Sequence, residues 1–279
     1  MKSVLITGGT GTLGHGIVER LLQEDTYKRI CIYSRGEKQQ AEMARRFNDT
    51  RLRFFIGDIR DYMRLRRAMD GCTDVIHAAA LKRIEVGVYN PEEMVKTNVQ
   101  GSANVIEATR HAGVEKCILI STDKAFEPVS PYGYSKALAE SFFLAANSQR
   151  SIAGPRYSGV RYGNVWCSAG SVVPVWRGIL ASGERPVVTS LECTRFFMLL
   201  TGAVDFVLGA LEKMQGGEIF VPNLPAYKLG DLVKAMNIPG YMRRRGLPTY
   251  EKLHESMEKG KCSKDARRMS VEELRSYLS

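Results

Sequence analysis

The chain has 279 residues, 44% hydrophobic and 25% charged, a globular balance that excludes a disordered or fibrous protein and suffices to bury a full core. A net charge of +10 and a pI near 9.3 would suit a polyanion, but no nucleic-acid motif accompanies the charge. A pocket for several phosphates on a basic surface is the better reading. No nucleic-acid partner is expected.

The N-terminal MKSVLIT runs directly into glycines without a small-residue cleavage site, so it reads as a first strand. No apolar run reaches the roughly eighteen residues of a membrane span. Six scattered cysteines form no CxxC pair and no zinc set, so they read as buried, reduced thiols. A cytoplasmic protein with no membrane partner is expected.

SVLIT, RICIYS, LRFFIG, DVIHAAA, KCILIST and YSGVRYGNV read as strands separated by segments with helical spacing. That alternation predicts an α/β fold, a Rossmann-like doubly wound parallel sheet whose ligands bind beyond the strands' carboxyl ends. The predicted division is a dinucleotide-binding domain over residues 1–165 and a smaller substrate lobe over 166–279. The late run GGEIFVPN, near 217–222, is a candidate to return to the main sheet. Ser270 followed by Glu273 predicts a capped helix near the end.

The first loop, TGGTGTLG, follows a strand and opens a helix, as a pyrophosphate-binding turn requires. Its candidate cofactor contacts are Gly8, Thr10, Gly11, Thr12, Leu13 and Gly14. An NAD-specific site would carry an acid at the end of the second strand. This chain instead has Ser34, Arg35 and Lys38, which could hold a 2′-phosphate, so NADP is favoured over NAD. After the third strand, Asp58 and Ile59 fall where the adenine amino group would be met, and Ala78, Ala79 and Ala80 close the fourth strand.

In ISTDKAFEPVSPYGYSKALAE, Tyr132 and Lys136 stand one helical turn apart and share a face. A neighbouring cation favours the phenolate of a tyrosine that is otherwise a poor base at neutral pH. Thr122, at the preceding strand end, would support the hydroxyl being oxidised.

Together these residues resemble the extended short-chain dehydrogenase/reductases, and within them the UDP-N-acetylglucosamine 4,6-dehydratases of the soluble, pseudaminic-acid type. The match runs through YSRGEKQQAEMARRFNDTRLRFFIGDIRD, HAAALKRIEVGVYNPEEMVKTNVQGSANVIEA, STDKA, RYGNVWCSAGSVVP, TRF, GGEIFVP and EKLHE. The resemblance implies oxidation at C4 of the sugar with an internal NADP redox cycle, then loss of water across C5 and C6, inversion at C5 being left open. It implies that Lys124 removes the C5 proton and Asp123 protonates the departing hydroxyl. The pKa of Asp123 should therefore rise and that of Lys124 fall.

It further implies Lys82, Asn164, Arg195 and Glu251 as UDP-sugar contacts, Asn98 as the helix asparagine beside the cofactor, and a homo-oligomer. Two departures stand out. The arginine usual before EKLHE is out of register, with Arg243, Arg244 or Arg245 as substitutes, and Tyr134 replaces a smaller residue. Competing readings are a nucleotide-sugar 4-epimerase or ketoreductase, which has no need of Asp123 and Lys124, and a non-catalytic NADP-binding regulatory protein.

Overall fold

The computed structural model describes residues 2–238, 243–244 by backbone only, and 246–278. The chain opens with β1 (Ser3–Thr7), α1 (Thr12–Gln23), β2 (Arg29–Ser34), α2 (Glu37–Phe47), β3 (Leu52–Ile56), α3 (Tyr62–Met69) and β4 (Asp74–His77). Next come α4 (Ile84–Tyr89), α5 (Pro91–Met94), one π-helical stretch (Val95–Gln100), α6 (Gly101–Ala112), β5 (Lys116–Ile120), α7 (Pro131–Gln149), β6 (Arg156–Val160) and β7 (Asn164–Val165). The remainder is α8 (Val172–Ala181), β8 (Val187–Val188), β9 (Thr194–Met198), α9 (Leu200–Lys213), β10 (Ile219–Phe220), β11 (Ala226–Lys228), α10 (Leu229–Ala235), β12 (Arg243–Arg244), β13 (Ser256–Glu258), β14 (Lys261–Cys262) and α11 (Val271–Ser276).

Seven strands pair in parallel in the order β10-β6-β5-β4-β1-β2-β3. Strands buried on both faces must be apolar throughout rather than alternating, and β1 is buried at every position. Val4 and Ile6 face one side, packing with Ile17, Leu21, Val204 and Val207 of α1 and α9. Leu5 faces the other, with Leu65, Val105 and Phe143 of α3, α6 and α7. The strand order reverses between β1 and β4, which opens the crevice that such sheets use for ligands.

The division expected at residue 165 does not follow the sheet. Helix α9 packs on α1, and β10 pairs with β6 as the seventh strand. What stands apart is a lobe built on the β11-β9-β7 sheet, with a core of Val173, Trp176, Phe197, Tyr227 and Leu232. The run YSGVRYGNV is likewise two strands, β6 in the main sheet and β7 in the lobe. Between them Tyr162 turns its carbonyl to the Asp123 amide, at 3.0 Å. The capping box forms, with Ser270 Oγ accepting from the Glu273 amide and the Glu273 carboxylate accepting from the Ser270 amide. Among the described residues, no helix is long and apolar enough to cross a membrane. All six thiols are free; Cys167 is exposed and Cys262 half-buried, contrary to the expectation that all are buried.

Candidate active site

A cavity of about 1320 Å³ lies between the carboxyl edge of the sheet and the lobe, large enough for more than one ligand. At one end the glycine loop lines it. Gly8 adopts φ +67°, and a Cβ there would stand 2.9 Å from the Ala79 backbone. A Cβ on Gly14 would stand 2.2 Å from the Gly9 carbonyl oxygen, so α1 can begin this close to the loop only with glycine. No side chain caps α1 and no acid occupies its first turn, which leaves its N–H groups and dipole for an anion. This cradle fits a dinucleotide pyrophosphate, and Thr10, Thr12, Leu13, Ala78, Ala79 and Ala80 line the same space.

At the adenine end, Ser34, Arg35, Asp58 and Ile59 line the cavity. Ser34 Oγ accepts from Gln40 Nε2 at 3.0 Å. The Asp58 carboxylate receives Arg60 Nη2 at 2.7 Å and lies 3.8 Å from Arg35. Burial would raise its pKa, but the hydrogen bonds and charge of Arg60 outweigh burial and hold it low. Lys38 does not line the cavity; its ammonium turns along the helix toward Glu42, at 3.9 Å. The basic group assigned to the 2′-phosphate region therefore reduces to Arg35.

The catalytic stretch converges at the end of β5. Thr122 Oγ1 donates to Asp123 Oδ1 at 3.0 Å, and Lys124 Nζ donates to the same oxygen at 3.0 Å. Asp123 is 0% exposed and its Oδ2 has no partner. Burial pushes its pKa up, as expected, with Lys124 opposing. Lys124 departs from the expectation. Burial works to lower its pKa, yet the Asp123 and Glu255 carboxylates, the latter at 3.6 Å, win and raise it.

Tyr132 and Lys136 project from the first turns of α7 into the same cavity, with Ser130 capping the helix and Pro131 at its first position. Burial raises the Tyr132 pKa; among the charges that act on it, the cation that opposes the rise is Lys124 rather than Lys136. Lys136, 2% exposed, is pushed down by burial to about 8, with Glu140 resisting.

Asn98 sits in the π-helical stretch and lies behind the cavity wall. Its Oδ1 accepts from the Leu81 amide at 2.8 Å, and its Nδ2 donates to the Leu81 carbonyl and to Ser135 Oγ, both at 2.9 Å. These bonds spend its amide on positioning α7 against the loop after β4, so it is not a direct cofactor contact. Lys82, Asn164, Arg195 and Glu251 all line the substrate end. Asn164 Oδ1 is buried without a hydrogen-bond partner among the described residues. Arg195 Nη2 donates to Glu251 Oε1 at 2.7 Å, so these two expected contacts already hold each other. Tyr134 is 59% exposed and absent from the cavity wall, so its bulk does not alter the pocket. Residues 243 and 244 pair with β8, while Arg245 and all three arginine side chains lie outside the described residues.

Glu255 was missed. It is 2% exposed, and Lys252 Nζ lies 3.0 Å from its second oxygen, so Glu255 bridges two lysines. Its signal was the final residue of EKLHE, but nothing local shows that this segment folds back over β5.

A family model described as polysaccharide biosynthesis protein matches residues 4–272. The UDP-N-acetylglucosamine 4,6-dehydratase (inverting) of Campylobacter jejuni subsp. jejuni serotype O:23/36 (strain 81-176) is 45% identical over 92% of this chain and 77% of that protein. A UDP-glucose 4-epimerase of Rickettsia rickettsii (strain Sheila Smith) is 39% identical over 94% of this chain and 80% of its own length. The X-ray structure of Pen from Bacillus thuringiensis superposes with a TM-score of 0.93 at 32% identity, covering 99% of this chain and 98% of that one. DesIV, a dTDP-glucose 4,6-dehydratase from Streptomyces venezuelae solved with NAD and TYD, shares the fold at TM-score 0.84 and 21% identity, over 99% and 95% of the two chains.

Proposed function

The chain belongs to the polysaccharide biosynthesis protein family, and from that membership together with the cavity's geometry we propose that it dehydrates UDP-N-acetylglucosamine at C4 to C6, with inversion at C5. The observation that carries the reading is the buried Asp123–Lys124 pair beside Tyr132. A 4-epimerase, the activity in the name of the Rickettsia relative, needs Tyr132 and Lys136 but gives this pair no task.

The dinucleotide is proposed to be NADP, on the strength of Ser34 and Arg35 standing where an NAD site would carry an acid. When bound, it supplies reversible hydride exchange, first with C4 and then with C6 of the sugar, and ends in its starting form. Tyr132 takes the proton of the C4 hydroxyl. The resulting ketone makes the C5 hydrogen acidic, because the carbanion left behind is conjugated with it.

Elimination then needs a neutral amine and a neutral carboxyl, whereas Lys124 rests as an ammonium between two carboxylates. One proton shifted from Lys124 Nζ to Asp123 Oδ1, across 3.0 Å, makes both at once without changing the pair's net charge. A sugar that excludes water favours the neutral pair, since desolvation penalises separated charges. Lys124 then removes the C5 proton while Asp123 protonates the C6 hydroxyl as it leaves as water. Asn164 would donate through its Nδ2 to the diphosphate, and Arg195 would exchange Glu251 for a phosphate, a fork-to-oxyanion match.

A homo-oligomer draws support from exposed Val86, Val88 and Tyr89 on α4, which packs beside the α7 that exposes Tyr134 and Leu138. A cytoplasmic setting agrees with six free thiols.

The test is a proton NMR time course with UDP-N-acetylglucosamine and catalytic NADP+ in deuterated buffer. A C6 methyl signal, deuterium at C5 and an inverted C5 coupling are expected. Lys124→Ala and Asp123→Asn should slow methyl formation by about 10²-fold or more. A changed C4 signal without a methyl would replace dehydration by epimerisation.

A further inference from the structure

One row of buried polar groups lies outside the cavity wall and takes no part in the chemistry above. Thr7 ends β1, His77 ends β4 and Ser102 stands in the first turn of α6. His77 Nδ1 lies 2.7 Å from Thr7 Oγ1, and its Nε2 lies 3.0 Å from Ser102 Oγ. The groups at the two ends of the row fix every proton within it. A carbonyl only accepts, so the single Ser102 hydroxyl proton goes to the Asn98 carbonyl, at 2.6 Å, and Ser102 Oγ accepts from His77 Nε2–H. Burial, with Lys136 adding to it, brings the His77 pKa down to about 3, so the ring is neutral and its Nδ1 is an acceptor. Thr7 therefore donates to Nδ1, and its oxygen accepts from the Ala79 amide at 3.2 Å.

Each end of the row meets a part of the site. Ala79 lines the cavity, and its backbone is the surface on which Gly8 rests too closely for a Cβ. Asn98 lies in the π-helical stretch, where amides reach five residues back rather than four, as the Gly101 amide does to the Lys96 carbonyl. The Asn98 side chain carries the connection onward. Its Nδ2 donates to Ser135 Oγ at 2.9 Å, and Ser135 Oγ donates to the Tyr132 carbonyl at 2.8 Å. We propose that His77 is a positioning residue for the dehydration inferred above: it pins the Asn98 stretch to the Thr7–Ala79 edge of the glycine cradle and so holds Tyr132 in place to take the C4 hydroxyl proton. His77 does not line the cavity, so it acts through these neighbours. The rival role is packing alone, since its ring stacks on Phe143 of α7 with centroids 6.1 Å apart and planes 11° from parallel.

Three variants separate the two roles. His77→Phe keeps a ring against Phe143 and removes both links, Thr7→Val keeps the shape of Thr7 and removes its hydroxyl, and Thr7→Ser keeps the hydroxyl. The first readout is hydrogen exchange of the ligand-free protein by mass spectrometry. With the row broken, residues 95–102 and 131–136 should exchange about tenfold or more faster in His77→Phe and in Thr7→Val, while α9, on the other face of the sheet, is unchanged. The second is a single turnover of UDP-N-acetylglucosamine with protein and NADP+ in excess, whose rate constant, unlike its amplitude, does not depend on the folded fraction. That rate constant should fall about tenfold or more in both variants and return in Thr7→Ser. Thr7→Val carries the test if the phenylalanine variant fails to fold. An unchanged rate constant, or exchange that rises evenly through the whole chain, makes His77 a packing residue and overturns the proposal while dehydration stands. Sugar left untouched by the unsubstituted protein overturns the dehydration reading instead, and the exchange result then still decides whether His77 joins the two ends of the row.

Discussion

Two lysines of the site are tuned in opposite senses by their neighbours. Lys136 is buried with Glu140 as its acidic neighbour, and burial brings its ammonium down to about 8. Lys124, its side chain 16% exposed, stands against two carboxylates, which overcome burial. Because the folded pKa of Lys136 is depressed, the unfolded chain holds that proton more tightly between about 8 and the ordinary lysine value. Its contribution to the stability of the ligand-free protein therefore rises as pH climbs through that window. Binding runs the other way if the charged form holds the nicotinamide ribose. NADP+ affinity, followed by fluorescence titration, should fall as pH rises through about 8, and Lys136→Met should remove that limb. The residues in this cluster that could be read from sequence are those brought together by one short segment, Thr122 to Lys136. Glu255 could not, because only the return of the C-terminal segment over β5 places it there. Lys38 misled for the complementary reason: close in sequence to Arg35, it lies on the solvent face of α2.

At the scale of elements, α7 must hold Tyr132 and Lys136 steady against the end of β5, and two buried connections do this. Asn98 ties it to the loop after β4 through Ser135, from a π-helical stretch that widens the turn and aims the amide inward. Glu140 accepts from Ser121 Oγ and, with both oxygens, from the Arg161 guanidinium, which also donates to the Met257 carbonyl and stacks over Phe126. This joins α7, β5, β6 and the tail through one ion pair. Removing one partner of a buried pair leaves an uncompensated charge, so Arg161→Met should cost about 3 kcal/mol or more in urea unfolding. Ser121→Ala, which leaves that pair intact, should cost about 1 kcal/mol. The strands of the sheet were legible because burial on both faces demands unbroken apolar runs. The break between β6 and β7 was not, since Arg161 at the turn is held by Glu140, which lies in another element.

For the whole molecule, the glycine cradle belongs to the sheet and Arg195, Glu251 and Glu255 to the lobe side, so the cavity is complete only when the two are folded together. A chain division at residue 165 would leave β10 and α9 on the wrong side, since both complete the sheet layer. The cavity's two ends suit a mechanism in which one bound dinucleotide serves a single sugar through oxidation and reduction. The most direct test of that claim uses UDP-N-acetylglucosamine carrying deuterium at C4, with unlabelled NADP+ and product analysis by mass spectrometry and NMR. The expected result is a CH₂D group at C6 of the 4-keto product and no deuterium in the recovered cofactor. Deuterium released into the cofactor pool, or retained at C4 of a sugar that keeps its C6 hydroxyl, would contradict the account.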